Sequence, residues 1–288
     1  MNATPSPLSG WTADPVVLLA LALAALAYGF ACRSRARWGW FGAAVAVVVL
    51  AELSPIRLLA DGVLFSAHMV QHILLLLIAP ALVVLSLPPS VGRRPWLSRS
   101  PLRGAPTARG STREDPAGLP SASVPTPSSL NLARTGALLG WPAGVGAMWL
   151  WHVPLLCDAA IASPAVRAVQ TISLLALGTL FWWPILAPGQ RHRLGPPAGI
   201  AYLFTACLAC SALGMLITLT PIEVCSAFQA PTTAAGPWAA LRERVGALRD
   251  RQIGGLLMWV PMCSVYVAAI MLELSRWFAG GRVQEGAR

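Results

Sequence analysis

The sequence predicts an all-α, polytopic membrane bundle with about seven transmembrane helices, and three observations lead there. Hydrophobic residues make up 56% of the 288-residue chain and charged residues only 11%, whereas soluble domains carry about 25% charged residues. Apolar runs of spanning length recur, the clearest being VLFSAHMVQHILLLLIAPALVVLSL at 63–87. The 25 Gly, 25 Pro and 12 Trp suit the same class, because spanning helices tolerate Gly and Pro while Trp gathers at membrane interfaces.

Seven segments carry the apolar runs: 15–32, 39–54, 63–87, 135–153, 166–187, 197–220 and 252–273. All 21 basic residues are arginine, and their distribution orients the bundle. With Arg33, Arg35 and Arg37 placed in the cytoplasm, fifteen arginines fall inside and six outside, the latter being Arg57, Arg167, Arg242, Arg244, Arg249 and Arg251. The positive-inside rule therefore predicts an outer N-terminus and a cytoplasmic C-terminus. The net charge of +10 reads as a topology signal with some attraction to anionic membrane lipid, and it calls for no nucleic-acid partner.

The first segment has no basic residue ahead of it in 1–14, unlike a cleaved secretory signal, so it is read as a retained helix. Residues 88–131 are a Pro, Ser, Gly and Arg mixture with almost nothing to bury, which predicts a disordered cytoplasmic loop. The outer connector 221–251 differs: Trp238, Leu241, Val245 and Leu248 recur at helical spacing among Arg242, Glu243, Arg244 and Arg249, which predicts a short interfacial helix. The chain is one integral membrane domain, 1–288.

His68 and His72 stand four residues apart in the third segment, so a helix places both imidazoles on one face at a chelating distance. Polar side chains at hydrocarbon depth are costly and tend to be functional. The predicted topology puts this pair in the outer half of its helix, and the fourth segment, ending WLWHVP, brings His152 to the same level. His192, between two arginines on the inner side, reads as a loop residue. Met258, Met262 and Cys263 lie on the outer half of the seventh segment, with Asp250 and Gln252 at its mouth and Met215 near the outer end of the sixth. Imidazole with thioether suits copper, especially Cu(I). A methionine in an apolar helix is more often packing, and Met258 and Met215 lean that way. HxxxH lacks the intervening Glu of the hydrolytic zinc signature, and no nucleophile and base are recognisably spaced, so no enzyme is expected.

The six cysteines form no framework. Cys207 and Cys210 at i, i+3 read as small-residue packing. Cys157 and Cys225 fall in outer connectors, where the compartment permits a disulfide.

AHMVQHILLLLIAPALVVLSLP, WLWHVPLLCDAAI, LFWWP and DRQIGGLLMWVP, in that order, resemble the CtaG-type cytochrome c oxidase assembly factors, the branch associated with caa-type oxidases. The likeness covers about 15–278 without the long inner loop. It implies a multi-pass protein of the bacterial plasma membrane that assists oxidase subunits, binding or delivering copper to outward-facing metal centres. On that resemblance His68, His72 and His152 match the family histidines, and Asp250 matches the acidic residue opening the last motif. Met258, Met262 and Asp250 are the further candidate ligands. Two departures stand out: the family's fifth-helix histidine is replaced around Val169, Gln170 and Thr171, which leaves Cys157 as a substitute ligand, and Arg251 takes a place usually held by Gln. The rival readings are a haem-binding electron-transfer protein with His72 and His152 as axial ligands, although haem is not the expected cofactor, and a membrane copper transporter.

Overall fold

The computed structural model describes residues 10–32, 34–88, 127–220, 224–229 and 237–285, all in helices and their connections with no strand among them. Helix α1 (Pro15–Ala31) starts on Asp14, whose Oδ1 accepts from the Val16 and Val17 amides, with Pro15 in the first turn. Leu19, Leu23, Leu26 and Phe30 face outward, and the helix is held at its ends. The Thr12 amide donates to Leu53 O at 2.9 Å. Tyr28 stacks on Phe41 with ring centroids 4.1 Å apart and donates to Ser86 O at 2.7 Å. Helix α2 (Arg35–Glu52) returns across the bundle, and the short α3 (Pro55–Ala60) leads into the histidine helix.

That helix is α4 (Phe65–Ile73) continued through a π turn, Leu74–Ile78, into α5 (Ala79–Ser86), one 22-residue apolar rod. Pro80 explains the π turn: it lacks an N–H, and its ring would strike the carbonyl four residues back, at Leu76. The ladder widens instead, with the Ala79 amide bonding Leu74 O. A neighbouring helix tends the loosened carbonyls: Trp182 Nε1 donates to Leu77 O at 2.9 Å, and Gly178 lies so close that a Cβ there would collide with Leu76 O and Pro80.

Helix α6 (Pro127–Trp151) meets α7 (Pro154–Ala162) at a 72° bend, and α8 (Pro164–Leu186) runs back alongside α6. Helices α9 (Pro196–Leu219) and α11 (Ala247–Glu285) make the most extensive helix pair. Gly214 and Gly255 let them approach: a Cβ on Gly214 would meet Trp259 and Gly255 O, and one on Gly255 would meet Thr218 and Gly214 O. Between them in sequence, α10 (Pro237–Val245) ends at Gly246, whose φ of 74° breaks the helix before α11.

Four helices are long and apolar enough to cross a membrane, and five if α6 with α7 counts as one bent span. The count expected from sequence was seven. Segment 15–32 folds as 17 residues, short for a span, and α2 carries Arg35, Arg37 and Glu52 within its 18 residues. The predicted inner loop 88–131 lies outside the described residues over 89–126, while 127–131 belongs to α6. Of the residues read as one short helix in the outer connector, Trp238, Leu241 and Val245 lie in α10 and Leu248 in α11.

Gly178→Ala should force α8 off the π turn. The expected loss is about 1–3 kcal/mol, as for other overpacked core sites, read as a lower thermal unfolding midpoint in detergent than that of the parent protein.

Candidate metal centre

The first turns of α4 bury a stripe: Phe65, His68, Met69, His72 and Ile73, at i, i+3, i+4, i+7 and i+8. The spacing sets His68 and His72 on one face, their ring centroids 4.4 Å apart. His152, at the C-terminal end of α6 where the chain bends, brings its ring to 5.1 Å from His72. The three histidines singled out in the sequence thus meet, all buried.

Their hydrogen bonding differs. His152 Nδ1 lies 2.6 Å from Met148 O, which can only accept, so Nδ1 carries the proton and Nε2 presents its lone pair. That lone pair faces the Met69 thioether sulfur at 3.2 Å, two electron-pair donors side by side. None of the four ring nitrogens of His68 and His72 has a hydrogen-bond partner; the Ala60 backbone faces His68 without reaching bonding geometry. An unsatisfied buried polar group costs about 1–3 kcal/mol, so this cluster is expensive for the fold and suited to a soft or borderline cation. Among the described residues, no three His, Cys, Asp or Glu side chains already stand as a metal-holding group. Imidazole and thioether are donor types that copper takes, and gathering them on one ion requires the rings to turn.

The other candidates are placed differently. Asp250 is a helix cap: its carboxylate accepts from the Phe65 amide at 2.6 Å, the Ser66 amide at 3.0 Å and Ser66 Oγ at 2.5 Å. It serves α4 across 185 residues of sequence, and Leu64, at the N-cap itself, offers no such group. Met258 and Met262 are buried on α11, one and two turns beyond Gly254, which touches Phe65 and Met69. Met215 is exposed. Cys157 is joined to Cys225 in a disulfide and is not free to substitute as a ligand.

Two features of the surroundings escaped the sequence reading. Glu52, at the end of α2, is buried and accepts from Gln71 Nε2 at 3.2 Å, from Thr171 Oγ1 at 3.0 Å and from the Arg57 guanidinium. Thr171 thus serves the carboxylate, whereas its neighbour Gln170 lines a narrow crevice with His68, its Nε2 buried and unpartnered. Asp61 and Arg167 form an ion pair along the same crevice. On the other side, the Phe228 ring covers His68 with centroids 5.6 Å apart. The segment bearing it is tied by the Cys157–Cys225 disulfide, by Asp158 accepting from Ser226 Oγ at 2.8 Å and the Ala227 amide at 3.0 Å, and by Arg242, which donates to the carbonyls of Phe228, Gly62 and Val63. The Met69 spacing within the buried stripe is legible in the sequence, and Gln170 stands there only as part of the replaced fifth-helix histidine position; Phe228 gives no local signal.

Fold and site together define a helical bundle, with helices of membrane-spanning length and apolarity, built around a buried imidazole and thioether cluster. Comparison with known proteins is specific about which such bundle this is. The chain belongs to the cytochrome c oxidase caa3 assembly factor family (Caa3_CtaG), whose family model matches residues 17–279. No curated protein and no solved structure matches it.

Glu52→Ala should remove the carboxylate that Arg57 and Thr171 share, while Gln71 Nε2 keeps Ala51 O as an acceptor. A loss of about 1–3 kcal/mol is expected for leaving a partly buried guanidinium without its acceptor, and a thermal melt of the purified variant measures it.

Proposed function

We propose that this assembly factor carries copper for cytochrome c oxidase, holding the ion at His68, His72 and His152 with the Met69 thioether and passing it to outward-facing metal centres of oxidase subunits. The observation that carries this reading is the convergence of three buried histidines, two of them with no hydrogen-bonded nitrogen, on a fourth donor of soft character. A cargo site must release its ion, and a loose group of donors behind a single aromatic cover suits loading and release better than a closed tetrahedral cage. Met258 and Met262 are buried in α11 as packing residues, and Asp250 holds the histidine helix in place.

The protein sits in the bacterial plasma membrane as seven spans, with α6 and α7 counted as one bent span and α1 and α2 added to the resulting five, its N-terminus outside and its C-terminus inside. The arginine distribution supports that orientation, and so does the disulfide, which joins two connectors on the predicted outer side. The haem alternative finds little support in the geometry, because rings 5.1 Å apart leave no room for a porphyrin between His72 and His152.

The His68→Ala/His72→Ala variant should lose the copper held at the histidines, one equivalent relative to the parent protein, while keeping its membrane insertion, as read by elemental analysis of detergent-purified protein. Copper retained at the parental level would refute the assignment. Gln170→His should act in the opposite direction, adding an imidazole beside His68. Competition against a chromophoric Cu(I) chelator should then show affinity raised by at least about tenfold, the scale on which groups around a metal site act.

A further inference from the structure

Away from the histidines, α9 and α11 bring two thiols together. Cys207 and Cys263 place their sulfurs 2.9 Å apart, both half-buried and neither in a disulfide. Cys210, one turn beyond Cys207, takes another partner: its sulfur lies 3.5 Å from the Tyr266 hydroxyl. The CxxC spacing is therefore not the pair; Cys207 faces a residue 56 positions away. Gly214 and Gly255 hold the two helices at close range beside it.

Ser211 fixes the order of the protons. Its hydroxyl donates to Cys207 O at 2.8 Å, so its oxygen accepts from the Cys263 thiol at 3.1 Å, and Cys263 Sγ in turn accepts from the Cys207 thiol. One proton lies between the two sulfurs.

We infer that Cys207 and Cys263 form a second cation site, which binds a monovalent soft ion, Cu(I) or Ag(I), between their sulfurs in place of the Cys207 proton. The exchange is balanced: the incoming M⁺ forms bonds to both sulfurs, one H⁺ leaves from Cys207, Cys263 keeps its proton to Ser211, and no electron moves. Net charge at this depth is unchanged, which matters because an unbalanced charge in an apolar environment is costly. A divalent ion in the same place would leave a surplus positive charge. Sulfur donors select Cu(I) among the available cations. On the scale of zinc–thiolate bonds, about 2.3 Å each, the sulfurs part to roughly 4.6 Å on loading. This site stands independently of the histidine cluster.

The test uses the full-length His68→Ala/His72→Ala protein, purified in detergent with reductant and without oxygen, and titrated with Ag(I) and with Cu(I) against a chromophoric chelator. One equivalent of each should bind and give a sulfur-to-metal charge-transfer absorbance. Cys207→Ser/Cys263→Ser should abolish both signals, while Cys210→Ser and a Zn(II) titration bear on specificity: the first should leave Ag(I) binding intact and the second should show no uptake. Melting curves of the variants establish that they are folded, and Cys263→Ser alone provides a milder substitution. Alkylation with mass analysis should count four free thiols in the parent. Absence of Ag(I) and Cu(I) binding, its survival in the double cysteine variant, or a Cys207–Cys263 disulfide would each overturn the inference.

Discussion

Everything around the histidines depends on the carboxylate of Asp250 reaching the first turn of α4. A helix that begins inside a protein leaves amide groups without acceptors, and the residue at the N-cap, Leu64, cannot supply one. Asp250 supplies it from the start of α11, with two backbone amides and the Ser66 hydroxyl as donors. The charge also lies at the positive end of the helix dipole. Because α11 is packed along α9 by close glycine contacts, this one carboxylate transmits the position of that pair to the histidine helix. It thereby sets the level at which His68 and His72 meet His152.

A second anchor works at the opposite flank. Glu52 gathers Arg57, Gln71 and Thr171 from three helices, and Gln71 sits on α4 between the two histidines. Below them, the π turn opposite Pro80 loosens the same rod just where Trp182 and Gly178 of α8 receive it. The rod is thus fixed at its mouth, at its middle and below its middle by polar contacts to different partners. These contacts leave the imidazoles as the polar groups of α4 that the fold itself does not satisfy.

Much of this was legible in the sequence because it is periodic or compositional. Apolar runs gave the helical class, the i, i+4 spacing gave the shared face of His68 and His72, and matching depth along two predicted antiparallel spans brought His152 to them. The helix α10 followed from its amphipathic spacing. What stayed hidden was long-range pairing between residues of unremarkable local character. Asp250 read as a polar residue at a helix mouth, and nothing nearby indicated that it caps a helix 185 residues earlier. Glu52 and Phe228 acquire meaning only once α2 and the segment 224–229 are in place, and Gln170, marked in the sequence as part of a replaced histidine position, gains its place beside His68 only with α8 packed. The span count also went beyond what composition can decide, since α1 and α2 are apolar but short or charged at their ends. After the 72° bend at the end of α6, the helix α7 stands where a connector between two runs was expected.

The disulfide beneath Phe228 has a consequence for how the chain matures. Thiols pair only in oxidising surroundings, so the tie that holds the aromatic ring over His68 forms after Cys157 and Cys225 have both reached such a compartment and found each other across 68 residues. A newly inserted chain therefore passes through an interval in which its helices are placed but its imidazoles lack their covalently held cover. Covering of His68 by Phe228 is thereby coupled to the redox conditions that Cys157 and Cys225 meet.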